Sequence, residues 1–261
     1  MSFHGKTAII TGGANGIGRC IAEHFLDKGA LVAIIDVDAE HKAQMEEKHG
    51  DRLLFFVGDV GDERTLGAFV EAFLSRFPKV HYLINNAMCS RGGILSGCGY
   101  GDFEYALRVG VTAPYYLTMK LKDSFGPDAA IVNISSSRSG QSQPDTESYT
   151  AAKGGIAALT HALSVSLAGI ARVNAVAPGW IDTSPRHEGS PLSQHSTPDH
   201  FQHPVRRVGR AEDIAKLALF LCSEDAGFIT GQEIFADGGM SKLMTYHGDC
   251  GWSFQPCGQP L

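Results

Sequence analysis

The stretch that decides the fold is residues 7–18, TAIITGGANGIG. Its first residues are apolar and rich in β-branched side chains, which is typical of a buried strand. Gly12, Gly16 and Gly18 follow at once, and the apolar residues after them recur with helical spacing. Glycines let a ligand approach the backbone without a Cβ in the way. A strand, a glycine turn and a helix N-terminus together predict a pyrophosphate site, because free backbone N–H groups and the helix dipole both attract anions.

A second apolar run, residues 31–35, ends in Asp36. An acidic residue about 20 positions after a glycine turn is placed to accept hydrogen bonds from the adenosine ribose hydroxyls of a dinucleotide. Its charge would also repel a 2′-phosphate, and Val37 rather than a basic residue follows it. These features favour NAD over NADP as the cofactor. The alternative role for Asp36 is that of a helix N-cap or turn residue.

The rest of the chain alternates strand-like and helix-like segments. Strands are predicted over residues 7–11, 31–36, 53–58, 80–85, 130–135, 172–177 and 232–236. Helices are predicted over residues 17–28, 39–48, 63–77, 102–124, 149–167 and 211–223. This alternation predicts an α/β fold with a single doubly wound parallel sheet of about seven strands and helices on both faces. No repeat or linker interrupts the pattern, so we expect one domain over residues 1–261.

Tyr149 and Lys153 lie four residues apart in a helical segment, so their side chains share one face of the helix. Ser136 closes a preceding apolar strand. A tyrosine beside an ammonium can lose its proton well below the usual pKa of about 10 and exchange it with an alcohol or carbonyl near neutral pH. A nearby serine hydroxyl can hold the substrate oxygen. Without the glycine turn, the pair would be read as two residues of a helix surface.

In this order, the motifs resemble the short-chain dehydrogenase/reductase family over nearly the whole chain. The resemblance rests on residues 11–18, Asp59-Val60, Asn85-Asn86-Ala87, the set Ser136, Tyr149 and Lys153, residues 178–183 (PGWIDT), residues 207–209, residues 212–215 and residues 237–239 (DGG). It implies a Rossmann fold and hydride transfer between a nicotinamide cofactor and a secondary alcohol or carbonyl. It also implies that Tyr149 is the general acid/base, that Lys153 lowers the tyrosine pKa and binds the nicotinamide ribose, and that Ser136 orients the substrate oxygen.

The resemblance further implies the cofactor contacts and the assembly. The predicted cofactor-binding residues are Thr11, Gly12, Asn15, Gly16, Ile17, Gly18, Asp36, Asp59, Val60, Asn86, Tyr149, Lys153, Pro178, Gly179, Ile181 and Thr183. Family members are usually tetramers or dimers built through the fourth and fifth helices and the last strand, so we expect a homo-oligomer. The aromatic C-terminal tail, residues 240–261, packs either on a neighbouring subunit or on its own.

The chain departs from the family pattern at two positions. Gly110 stands where the family usually has a catalytic asparagine, which helps hold a water between the lysine and solvent. A second water or a neighbouring side chain could fill that gap, or the proton relay could be impaired. Met88 stands where the family usually has glycine, and the larger side chain would narrow the space behind the nicotinamide.

Composition narrows the class of partners. The net charge of −6 and the pI near 6.0 argue against a nucleic-acid partner. The sequence contains no run of 18 apolar residues, so no membrane span is predicted. It leads from its first residues straight into a strand, so we expect no signal peptide. The six cysteines form no Cys-x-x-Cys pair, so we expect reduced thiols and a cytoplasmic protein. The irregular spacing of the histidines gives no metal site.

Residues 182–206 form the least regular stretch and follow the predicted nicotinamide segment, so we interpret them as a substrate lid. Their polarity slightly favours a sugar or polyol over a long acyl chain. Arg138, Gln141, Gln143 and Glu147 could also face the substrate, although each is equally consistent with loop surface.

Three functions remain open. The first is an NAD-dependent dehydrogenase, or the reverse carbonyl reductase, with a small alcohol or carbonyl substrate. The second is an NAD-binding regulatory or weakly active protein, for which Gly110 speaks and the intact Ser136, Tyr149 and Lys153 speak against. The third is an NADP-dependent carbonyl reductase, against which Asp36 argues.

Overall fold

The computed structural model describes residues 2–184, 194–246, 248–249 and 253. The strands are β1 (Thr7–Thr11), β2 (Leu31–Asp36), β3 (Leu53–Val57), β4 (Val80–Asn85), β5 (Phe125–Ile134), β6 (Ala171–Pro178), β7 (Ile181–Asp182), β8 (Gly209–Arg210) and β9 (Glu233–Ala236). The helices are α1 (Gly16–Asp27), α2 (Lys42–His49), α3 (Glu63–Arg76), α4 (Tyr100–Leu107), α5 (Ala113–Leu121), α6 (Glu147–Ser166), α7 (Thr197–Phe201) and α8 (Ala211–Cys222). The predicted lid and tail lie partly outside the described residues, at 185–193 and at 247, 250–252 and 254–261 respectively.

Seven strands form one parallel sheet in the order β3-β2-β1-β4-β5-β6-β9. The strand order reverses between β1 and β4, and this is the crevice where doubly wound folds bind ligands. The predicted α/β fold with its doubly wound sheet is therefore confirmed. The short strands β7 and β8 pair separately.

Both faces of the sheet are buried, because successive strand side chains point to opposite sides. On one face, Ile10 and Ile34 pack with α1 and α8. On the other face, Ile9 and Ile35 pack with α3 and α5. The runs of β-branched residues that predict the strands therefore supply apolar side chains to both faces of the sheet.

A buried polar chain links the central strands to α6. The Asn85 amide donates to Asn133 Oδ1 at 2.7 Å, and the Asn133 amide donates to Thr160 Oγ1 at 2.9 Å. Buried hydrogen bonds of this kind are costly to leave unmade, so they fix α6 against β4 and β5. Because Tyr149 and Lys153 lie on α6, the chain also fixes their position.

The helix predicted over residues 102–124 is interrupted in the structure. A π-helical segment, Arg108–Thr112, separates α4 from α5, and the Ala113 N–H donates to the Arg108 carbonyl. Pro114 has no N–H to offer the carbonyl of Gly110, four residues earlier, so a wider turn is accommodated here. Gly110 lies within this segment.

No helix in the described part of the chain is both long and apolar enough to cross a membrane. Likewise, among the residues that the structure describes, no three His, Cys, Asp or Glu side chains converge in a way that could hold a metal ion.

Candidate active site

The glycine turn joins β1 to α1 with very little room. Gly12 has φ +65°, and its N–H donates to the Ile35 carbonyl at 2.8 Å. A Cβ on Gly18 would lie 2.0 Å from the Gly12 carbonyl oxygen. Only glycine can occupy position 18 without moving the turn. Gly18 does not line the cavity; it allows the close packing of α1 against the turn that does.

Asn86, at the end of β4, closes the other side of this turn. Its side-chain amide donates to the carbonyls of Thr11 at 3.1 Å and Gly12 at 2.9 Å. Thr11 Oγ1 in turn accepts the N–H groups of Asn86 and Ala87, both at 3.0 Å. Thr11 and Asn86 therefore hold the two strand ends together on either side of the switch point.

Asp36 is held in place at the end of β2. One carboxylate oxygen accepts the Ala14 N–H at 2.9 Å and the other accepts the Asp38 N–H at 3.0 Å. Asp38, which the sequence analysis missed, accepts a hydrogen bond from the Asn15 amide at 2.6 Å. Two carboxylates thus lie together at this end, and a second acidic residue two positions after Asp36 was the available signal.

Asp59, after β3, is held by a residue that sequence reasoning did not identify. Tyr105 Oη donates to Asp59 Oδ2 at 2.9 Å, while the Gly61 N–H donates to Oδ1 at 2.7 Å. Tyr105 comes from α4, far along the chain, and no local motif marks it. Val60 lies beside this pair on the wall of the same cavity.

Lys153 is buried behind Tyr149, with 4% of its surface exposed. Its ammonium donates to the Ile134 carbonyl at 2.6 Å and lies 5.5 Å from the centroid of the Tyr149 ring. Burial lowers the pKa of Lys153 to about 8, because the charged form loses its hydration. Ser135 strengthens the contact between strand and helix by donating to the Lys153 carbonyl at 3.2 Å.

Ser136 caps the short turn that follows β5. Its Oγ accepts the Arg138 N–H at 3.2 Å, so its own O–H remains available as a donor. The guanidinium of Arg138 lies 5.5 Å from the centroid of the Tyr149 ring. Arg138, one of the four residues considered for substrate contact, therefore lies against the Tyr149 ring.

The segment after β6 forms the remaining wall. Thr183 faces the glycine turn, because a Cβ on Gly16 would lie 3.4 Å from the Thr183 side chain. Gly179 lies against Asp237, where a Cβ would approach to 2.6 Å. Pro178 and Ile181, from the same segment, also line the cavity.

These residues surround one cavity of about 720 Å³. The predicted residues that line it are Gly12, Asn15, Gly16, Ile17, Asp36, Asp59, Val60, Asn86, Ser136, Tyr149, Lys153, Pro178, Gly179, Ile181 and Thr183. Thr11 and Gly18 support it from behind. The lining residues that the sequence analysis did not assign to the site include Asp38, Tyr105, Val109, Ile134 and Ser135.

Met88 accounts for the glycine at position 110. A Cβ on Gly110 would lie 2.8 Å from Met88 Sδ and 2.8 Å from the Cβ of Ala152. The two departures from the family pattern are thus one packing arrangement, and a neighbouring side chain fills the gap at Gly110. Cys89, next to Met88, lines the cavity and also packs against the core, and burial raises the pKa of its thiol.

Known proteins are similar to this chain in sequence and in fold. The family model described as Enoyl-(Acyl carrier protein) reductase matches residues 12–241. The chain belongs to the short-chain dehydrogenase/reductase family. An "uncharacterized oxidoreductase" of Thermotoga maritima is 39% identical over 94% of this chain and 99% of its own.

Two solved structures are similar to this chain in fold as well as in sequence. An apo SCOR enzyme from Clostridium thermocellum has a TM-score of 0.88 and 42% identity, over 96% of this chain and 99% of its own. A 3-ketoacyl-(acyl-carrier-protein) reductase from Brucella melitensis, complexed with NADH, has a TM-score of 0.81 and 33% identity, over 92% of this chain and 100% of its own. This protein is therefore an oxidoreductase of that family.

A nicotinamide dinucleotide fits the residues present. The cavity volume lies within the usual range for small-molecule sites, about 300–1,000 Å³. Asn15 Oδ1 is buried and lacks a hydrogen-bond partner among the described residues, so a polar ligand group could satisfy it. Asp36 lies at the end of β2 and Ser136 just after β5, so the acidic side chain and the serine line the cavity from opposite sides of the switch point between β1 and β4.

Proposed function

We propose that the protein transfers a hydride between NAD(H) and a secondary alcohol or its carbonyl. The observation that carries this proposal is the arrangement of the Lys153 ammonium, the Tyr149 ring and the Ser136 hydroxyl at one end of a dinucleotide-sized cavity. The cofactor supplies the hydride acceptor in oxidation and the hydride donor in reduction. The NADH complex of the Brucella melitensis reductase supports a site of this kind.

Each side chain has a distinct task in the proposed reaction. In oxidation, Tyr149 Oη takes the hydroxyl proton of the substrate, while the C–H bond breaks with its electron pair and the C–O bond becomes a carbonyl. Ser136 donates a hydrogen bond to the reacting oxygen as its charge changes. Lys153 holds positive charge beside the tyrosine and would hydrogen-bond the nicotinamide ribose of a bound cofactor. In reduction, Tyr149 returns the proton.

The preference for NAD is proposed from the two carboxylates at the ribose end. Asp36 and Asp38 would both repel a 2′-phosphate, whereas Asp36 can accept hydrogen bonds from ribose hydroxyls. Exchanging both for asparagine should lower the ratio of kcat/KM with NAD to that with NADP by at least about tenfold. An unchanged ratio would place the selector elsewhere.

The remaining predictions concern substrate, assembly and location. The polar stretch 182–206 supports a polar substrate such as a sugar or polyol, although residues 185–193 lie outside the described part. We also propose a homo-oligomer, and a cytoplasmic location in keeping with the free thiols of Cys20, Cys89, Cys98 and Cys222.

The deciding experiment compares wild type with Tyr149→Phe in a 340 nm assay of alcohols and carbonyls with NAD and NADP. The expected result is turnover by wild type and a loss of about 10³-fold or more in kcat for the variant, with NADH affinity retained. Equal turnover would exclude Tyr149 as the acid/base. NADH binding by both proteins, with no turnover by either, would instead favour the regulatory or weakly active alternative.

A further inference from the structure

Arg138 is a cation beside Tyr149 that the proposed mechanism leaves unused. Its backbone N–H donates to Ser136 Oγ at 3.2 Å, and its guanidinium lies 5.5 Å from the centroid of the Tyr149 ring. The arginine is therefore tied to two of the three catalytic side chains. A ligand group bound by its guanidinium would lie close to a substrate carbon that reacts at Tyr149.

Among the residues that the structure describes, no acidic side chain neutralises the charge of Arg138. In the described ranges, with their gaps at 185–193 and in the tail, no carboxylate forms an ion pair with it. Its one side-chain hydrogen bond there is to the neutral amide oxygen of Gln143. A guanidinium has five N–H donors, so most of its capacity remains for a ligand.

The neighbouring side chains orient the Arg138 guanidinium. Arg138 is half-buried, which strengthens its interaction with an incoming anion relative to a fully solvated side chain. The Tyr149 ring and Gln143 restrict the planar group, so less rotamer freedom is lost when a ligand binds. Planar guanidinium groups match carboxylates with two parallel hydrogen bonds.

We propose that Arg138 binds a carboxylate of the substrate, so that the enzyme acts on hydroxy acids or oxo acids whose carboxylate lies a few bonds from the reacting carbon. This inference rests on the proposed function and specifies its substrate class. It is compatible with a polar substrate, sugar acids included. It narrows the proposed polar substrates to those that carry a carboxylate.

The first test is a comparison of matched substrates. Kinetics would be measured for short hydroxy acids and for their neutral methyl esters, using wild type, Arg138→Gln, Arg138→Lys and Arg76→Gln. Arg76 is the matched control, because its guanidinium also lies over a ring, that of Phe77 at 5.4 Å, but on α3 and away from the site.

The expected result is a preference of wild type for the acid over its ester of about 100-fold in kcat/KM, as a charge-assisted bidentate pair implies. Arg138→Gln should lose this preference through a higher KM for the acid. Arg138→Lys should recover part of the preference, and Arg76→Gln should behave as wild type. Equal preference in wild type and Arg138→Gln would overturn the proposal.

A second measurement needs no turnover. Thermal unfolding would be followed with malonate, 3-hydroxybutyrate or tartrate, and with the corresponding amides as neutral probes. Carboxylates should raise the melting temperature of wild type and Arg76→Gln but not of Arg138→Gln. An absent or equal shift in all three proteins would overturn the carboxylate site.

The two measurements separate this proposal from the function on which it rests. Carboxylate stabilisation that depends on Arg138, without turnover of any acid, would contradict the dehydrogenase and leave the anion site standing. Turnover of acid and ester at equal efficiency would support the dehydrogenase and refute the role of Arg138.

Discussion

Lys153 is the residue whose ionisation most directly limits the proposed chemistry. Its pKa is lowered to about 8 by burial, so its positive charge is complete below that pH and is lost as the pH rises through it. In the proposed oxidation, Tyr149 accepts the substrate proton while the Lys153 ammonium supplies positive charge 5.5 Å from the centroid of its ring. We therefore expect kcat/KM for alcohol oxidation to fall above about pH 8, as the lysine charge disappears.

The measurement is a pH profile of kcat/KM for alcohol oxidation in wild type and in Lys153→Arg. A guanidinium stays charged throughout the accessible range, so any activity retained by the arginine variant should lack the alkaline fall. A wild-type rate that keeps rising to about pH 10, the ordinary pKa of a tyrosine, would contradict the assignment of the alkaline limb to Lys153.

At the scale of structural elements, the π-helical segment Arg108–Thr112 contains Gly110, whose neighbours leave no room for a side chain. Gly110→Asn would drive a side chain into Met88 and Ala152, both of which a Cβ would meet at 2.8 Å. We expect this substitution to lower the free energy of unfolding by about 2 kcal/mol and to reduce activity. Restoring the family asparagine alone should therefore harm this enzyme.

Urea unfolding and kcat/KM would be measured for Gly110→Asn, for Met88→Gly and for the double variant. Removing the methionine should relieve part of the clash, so the double variant should be less destabilised than the two single effects predict together. Gly101→Asn, on the neighbouring α4, is the control, since a Cβ there meets nothing within 4 Å. Equal losses for Gly101→Asn and Gly110→Asn would refute the packing argument.

The strands and the glycine turn could be predicted because their signals are local. An apolar β-branched run followed by a polar residue marks a strand and its carboxyl end, so Asp36 and Ser136 could be assigned from the sequence alone. The contact between Met88 and Gly110 could not, because it depends on how α4 and α5 pack against β4. Tyr105 likewise reaches Asp59 only through tertiary structure.

At the scale of the whole molecule, apolar side chains remain exposed on two neighbouring helices. Tyr115 and Met119 lie one turn apart on α5 and are 51% and 40% exposed, and Val165 on α6 is 76% exposed. Exposed apolar groups on adjacent helices favour an interface, and a two-fold interface would bury the same face of both copies. These helices correspond to the fourth and fifth predicted helices, through which family members assemble.

Tyr115→Lys combined with Met119→Glu should therefore yield a smaller species than wild type in sedimentation velocity at micromolar concentration. The reason is that each subunit would bring two charged groups, so four would have to be desolvated in each two-fold interface. The control is Glu47→Lys, which changes an exposed charge on α2, a helix that packs on the opposite face of the sheet from α5, and it should leave the mass unchanged. A wild type that sediments as a monomer, or a double variant that keeps the wild-type mass, would show that α5 is not the assembly surface. Because Tyr149 and Lys153 lie on α6, beside this exposed face, kcat measured on the smaller species would also report whether assembly is needed to hold the catalytic helix in place.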